Sequence, residues 1–100
     1  MSELPAPEKD AALGRLIARS ASGDVASFTR LYDATSAAAF AVAVRVTGDR
    51  RLAEQVLQSA FVSVWHDAGR FRAKRTAALT WILAIVHRAA VATLREARPA

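Results

Sequence analysis

Apolar residues recur at helical spacing along nearly the whole chain, and short polar or glycine-bearing breaks divide them into four blocks. In the first, from about Lys9, Leu13, Leu16 and Ile17 share one side of a helix that stops near Gly23. Asp24 is a good N-cap for a second helix over 25–47, where Phe28, Leu31, Tyr32, Phe40, Val44 and Val46 supply the apolar side and Gly48 the stop. Asp49 introduces a third helix that reaches Gly69. After a loop at 70–76, the fourth helix runs from about Ala77 to Ala97 and is closed off by Pro99. No stretch alternates in the manner of a strand. Four helices with short connections make an all-α fold, a compact four-helix bundle. Its expected core includes Leu31, Phe40, Leu57, Phe61, Val64, Leu79, Ile82, Ile85 and Val86.

The faces of the third and fourth helices differ in kind. At about 100° per residue, Leu52, Val56, Leu57, Ala60, Phe61, Val64 and Ala68 gather on one side of the third helix. Arg51, Glu54, Gln55, Gln58, Ser59, Val62 and His66 gather on the other. A polar side is usually a solvated face, but a branched aliphatic at Val62 in its middle suits contact with a partner. On the fourth helix, Leu79, Ile82, Leu83, Ile85, Val86, Ala89 and Ala90 form a wide core sector. The narrow remainder, Thr80, Ala84, His87, Arg88, Val91, Arg95 and Arg98, is small or cationic and holds no acid, with Trp81 at its border.

Length and composition bound the rest. One hundred residues that are 53% apolar fit one domain over 10–98, preceded by a polar, proline-bearing lead-in at 1–9 that reads as disordered. The chain has no cysteine, so it can form neither a disulfide nor a thiolate metal site. The N-terminus lacks the features of a signal peptide, and the apolar run at 79–86 is too short to span a bilayer, so a cytoplasmic location without membrane insertion is expected. Charge changes the picture more. Residues 1–69 carry seven cations and eight acids, whereas residues 70–100 carry seven cations and one acid, Glu96. Crowding all the excess positive charge into the last third is what a polyanion-binding surface needs. Cations that track phosphates, beside an aromatic that can stack or wedge, suit single-stranded nucleic acid. The competing reading of Trp81 is a core tryptophan, and that of His87 an ordinary boundary histidine. Catalysis finds little support, since no HExxH, phosphate-binding glycine loop or nucleophile elbow is present. No cofactor or metal is expected.

Three segments, "GD-ASF--LYD", "TGD---AE-V-Q--F--VW" and "TWI--I-HR-A---LR", follow one another in an order and spacing that resembles region 2 of bacterial sigma factors of the extracytoplasmic-function (ECF) group. The resemblance covers the chain from about Leu13 to Arg95. It implies a bundle of the sigma region 2 type and a transcription initiation role, with two partners. The third-helix motif would bind the β′ subunit of core RNA polymerase through Arg51, Glu54, Gln55, Gln58 and Val62. The loop and fourth helix would recognise and melt the promoter −10 element, holding its non-template single strand through Phe71, Arg72, Lys74, Arg75, Thr80, Trp81, His87, Arg88 and Arg95. An anti-sigma factor is a further partner that the resemblance implies.

The chain departs from the family pattern at Gln55 and Ser59, where acids are usual, and at Ala92. A less negative clamp surface implies weaker polymerase binding. The helix-turn-helix of region 4, which reads the −35 element, is not among these residues, and the chain is either a domain of a longer factor or a stand-alone relative. Two alternatives remain open. One is a sigma-like interaction module that binds an anti-sigma factor or polymerase with little promoter activity. The other is a generic basic helical protein that prefers duplex DNA.

Overall fold

A helix leaves backbone N–H groups unpaired at its start and carbonyls unpaired at its end, and in this chain a few side chains and glycines answer for them. The computed structural model describes residues 7–98. In it α1 spans Pro7–Ala21. Proline suits the first helical position, because its ring presets φ and the amide it lacks needs no partner there. Pro7, Glu8 and Lys9 are therefore helical, which corrects the lead-in expected for 1–9; residues 1–6 of that lead-in lie outside the described residues. At the far end Gly23 takes a left-handed φ of 91°. Its N–H donates to the Ser20 carbonyl at 2.9 Å and the Asp24 N–H to the Arg19 carbonyl at 3.0 Å, a Schellman ending.

Asp24 then starts α2, Val25–Thr47, accepting from the backbone N–H groups of Ala26 (3.1 Å) and Ser27 (3.4 Å). The Ser27 hydroxyl donates to its second oxygen at 2.7 Å. That hydroxyl foremost, then the Ser27 and Ala26 amides and the Arg19 charge, holds the Asp24 carboxyl below its ordinary range. Gly48 closes α2 at φ 68°, its N–H donating to the Val44 carbonyl at 2.7 Å. Asp49 caps α3, Arg50–Asp67, through the N–H groups of Arg51 (2.8 Å) and Leu52 (3.1 Å). Gly69 is not the expected glycine stop. α3 gives way at Ala68 to a 3-10 turn, Ala68–Arg70, and Gly69 sits inside it without a left-handed φ. The last helix, α4, spans Ala78–Ala97.

Helices α2, α3 and α4 pack on one another about equally, while α1 lies mainly on α2 and also touches α4 and the 3-10 turn. Ile17, Leu31, Val56, Val64, Ile82 and Val86 are completely buried. Between them Ala39, Ala43, Ala53, Ala60, Ala78 and Ala90, also without exposed surface, let the helix backbones approach closely. The buried hydroxyls of Ser20, Thr35 and Thr47 each donate to a carbonyl one turn back, at 2.8 Å, so none is stranded. Leu31, Phe61, Val64, Ile82, Ile85 and Val86 occupy the core as expected, but Phe40, Leu57 and Leu79 are only half-buried. The Phe40 ring lies beneath the Arg50 guanidinium, 5.4 Å away. Leu57 opens onto a surface groove, and Leu79 lies in the first turn of α4. By length and composition alone α4 could cross a bilayer, contrary to the estimate from its 79–86 run; in the bundle its Ala78, Ile82, Ile85, Val86 and Ala90 are buried against the other helices.

Phe61 joins this core to an aromatic cluster, its ring 4.8 Å from Tyr32 and 6.3 Å from Phe28, both edge-on. Truncation to alanine removes a buried ring from a site walled by rigid helices. Phe61→Ala is expected to cost about 3–5 kcal/mol, read as a lower urea midpoint; an unchanged midpoint would place Phe61 outside the core.

Candidate nucleic-acid and protein interfaces

The chain from the 3-10 turn to α4 is anchored at both ends and exposed between. At the first end Phe71 is half-buried, its ring 5.4 Å from that of Trp81 and tilted by 59°. It also lies over Gly14 of α1, where an added methyl would meet its Cε2 at 3.5 Å. At the second end α4 lacks a cap of its own. Its N-cap residue is Ala77, and the neighbouring Thr76 hydroxyl donates to the Ala77 carbonyl instead of accepting from the helix. The acceptor is Asp10 of α1. One carboxylate oxygen takes the Ala78 N–H at 2.8 Å and the other the Leu79 N–H at 3.1 Å.

Between these anchors the cations are displayed. Arg70, Arg72, Ala73, Lys74 and Arg75 line an open concavity of about 620 Å³ with no acid in its wall. Arg72 is partly committed, its Nη1 donating to the carbonyls of Gly69 (2.8 Å) and Phe71 (2.9 Å) and so tightening the turn. Lys74 and Arg75 are exposed. On α4, Thr80, Ala84, His87, Arg88, Arg95 and Arg98 are exposed and Val91 is half-buried. Thr80, Ala84 and His87 also border a groove of about 480 Å³ shared with Val42, Arg45 and Val46 of α2. Arg45 is not singled out by the pattern on its own helix; only the packing of α2 against α4 brings it to this face.

The structure brings Arg72, Lys74 and Arg75 together in the loop concavity and Thr80 and His87 together beside α2, with Arg88 and Arg95 exposed on α4. Phe71 and Trp81 occupy a different position. They are half-buried against each other and serve first as the pin of the loop, although each keeps some exposed surface.

The second surface is the outer side of α3. Arg51, Glu54, Gln55, Gln58, Ser59 and Val62 are all exposed, Val62 by 57%. Its C-terminal half is not simply polar. Gln58, Val62 and His66 border an apolar groove of about 730 Å³ whose other walls are Phe28, Tyr32, Leu57, Phe61 and Trp65. Periodicity alone places Phe28 and Tyr32 on the apolar side of α2. The signal for exposure is tertiary: among the described residues no helix covers that side of the α2–α3 pair.

These features define a small helical module with two separate faces, one cationic and fit for a polyanion, the other partly apolar and fit for a protein. The chain belongs to the Sigma-70 region 2 family, whose sequence profile matches residues 31–99. It is 33% identical over 89 residues to the ECF RNA polymerase sigma factor SigK of Mycobacterium bovis (strain BCG / Pasteur 1173P2) and to that of Mycobacterium tuberculosis (strain ATCC 25618 / H37Rv). That alignment covers 89% of this chain and 48% of each relative. SigK of Mycobacterium sp. (strain KMS) is 32% identical over 81 residues, covering 81% of this chain and 42% of the relative. The chain spans about half the length of the curated relatives it matches.

If Phe71 pins the loop, removing its ring should free the basic segment without melting the bundle. Phe71→Ala is expected to speed tryptic cleavage after Arg72, Lys74 and Arg75 by about tenfold, a local opening worth ~1.4 kcal/mol, with little change in helical circular dichroism. Cleavage at the parent rate would show that the ring does not hold the loop.

Proposed function

We propose that this domain takes part in transcription initiation by docking on core RNA polymerase and by recognising and melting the promoter −10 element, with no catalysis of its own. The observation that carries this reading is the cationic concavity lined by Arg70, Arg72, Ala73, Lys74 and Arg75 with no acid in its wall, in the loop that leads into α4, whose Thr80, His87, Arg88 and Arg95 are exposed. Lys74 and Arg75 contact phosphates of the non-template strand, with Arg88 and Arg95 extending the path along the helix. Thr80, His87 and the loop backbone read an extruded base. The outer side of α3, with Arg51, Glu54, Gln55, Gln58 and Val62, meets the β′ subunit, and the adjoining apolar groove accepts its side chains. Such partners place the protein in the cytoplasm.

The groove also supports a second reading, an interaction module for an anti-sigma factor. Phe28, Tyr32, Phe61, Val62 and Trp65 offer more apolar contact than a lone Val62 does. Under that reading promoter contact is slight.

Extruding a base costs a few kcal/mol, less when the strand is already single. A −10-like non-template single strand is therefore expected to bind more tightly than the same sequence as duplex in fluorescence anisotropy. Lys74→Ala with Arg75→Ala should weaken binding about equally across sequences and flatten the salt slope by roughly one to two. Tighter duplex binding, or no difference between −10-like and scrambled single strands, would favour the other readings.

Val62 is exposed, so a charge there is tolerated by the fold. Val62→Asp should keep the parent's melting temperature within about 2 °C and lose capture by core polymerase. Equal capture by variant and parent would remove α3 from the polymerase interface.

A further inference from the structure

The other helices that begin after a turn carry their own N-caps, Asp24 for α2 and Asp49 for α3, each one residue ahead of its helix. α4 borrows its cap from Asp10, 68 residues upstream of Ala78. The same side of α1 receives the start of the loop, since Asp10, Ala11, Gly14, Arg15 and Ala18 border a hollow with Phe71 and Ala73. Both ends of the basic loop are thus tied to α1, by a ring over Gly14 and by a carboxylate on the α4 amides. Between the ties, residues 72–75 and 77 are exposed and Thr76 is half-buried.

We propose that Asp10 is a positioning residue for strand capture: by tying the first turn of α4 to α1 it fixes the shape and direction of the loop at 71–77. The proposal rests on the reading of that loop as the strand-binding segment. The two oxygens meet two adjacent amides, so the carboxylate fixes the rotation of α4 as well as its position. Its negative charge lies at the positive end of the α4 dipole and favours the same arrangement. A loop held in its bound shape loses less freedom on binding, and that benefit is larger for a strand that fits than for a random polyanion. Asp10 therefore contributes to selectivity although it is an acid beside a phosphate-binding surface. A purely electrostatic role has the opposite sign, because removing an acid would tighten binding to every strand.

The test uses the full chain with Asp10→Ala, Asp10→Asn and the double variant Asp10→Ala/Ala77→Asp. Asparagine keeps one acceptor oxygen, so Asp10→Asn provides a milder change if the alanine variant folds poorly. Aspartate at residue 77, where the backbone is extended as an N-cap requires, restores a cap to α4 without the tie to α1. Amide exchange at Ala78 and Leu79 and anisotropy with −10-like and scrambled single strands are read together. In Asp10→Ala, exchange at these amides should rise and preference for the −10-like strand should fall by about five- to tenfold, with a smaller loss in Asp10→Asn. The double variant should recover amide protection but not the preference.

Unchanged preference in both single variants, uniformly tighter binding to all strands, or full recovery in the double variant would overturn the positioning role; the last would make Asp10 a helix cap only. If the parent itself shows no preference, the strand-binding reading fails and the role in capture falls with it. Faster exchange confined to the loop and the start of α4 would then show the tie to α1 standing by itself.

Discussion

The amides that open α4 must find acceptors, and the residue ahead of them is an alanine. The Asp10 carboxylate resolves this by reaching from α1 to Ala78 and Leu79. Much of the architecture depends on that contact. It requires α1 to lie against α4 as well as α2, brings Gly14 beneath Phe71, and leaves the cations at 72–75 with no core to enter. A cap within the chain's own turn, as at Asp24 or Asp49, would start the helix equally well but would leave its direction to packing alone.

α2 links the two faces. Its N-terminal half contributes Phe28 and Tyr32 to the apolar groove, and its C-terminal half contributes Arg45 to the groove beside His87. Between these ends its inward side is carried by Leu31, Thr35, Ala39 and Ala43, with the Thr35 hydroxyl satisfied within the helix. A close-packed interior of this kind has few alternative arrangements. The apolar groove and the groove beside His87 are therefore held at a fixed separation by one helix instead of by loops.

What was legible in the sequence was local. Asp24, Gly48 and Asp49 announce their turns through short-range chemistry, and the apolar periods of α3 and α4 identify Phe61, Val64, Ile82 and Val86 as core. Asp10 was not legible, since nothing near it reveals that its partners lie 68 and 69 residues away. Periodicity marks Phe28, Tyr32 and Leu57 as apolar, but whether another helix covers them is decided by tertiary packing. The packing of Phe71 against Trp81 was not legible either, because their contact forms only when the loop folds back. Gly69 misled because glycine after a helix often adopts a left-handed stop, whereas here the chain tightens into a 3-10 turn.

The two tryptophans occupy opposite duties. Trp65 sits in the wall of the apolar groove, its ring 5.2 Å from Phe28, and Trp81 backs the basic loop through Phe71. They are the chain's only indoles, so the molecule carries one intrinsic chromophore for each face. A protein bound in the groove changes the surroundings of the first, and a strand that shifts the loop changes those of the second. With one indole replaced at a time, the emission spectrum separates the two events in a single sample, without an attached dye.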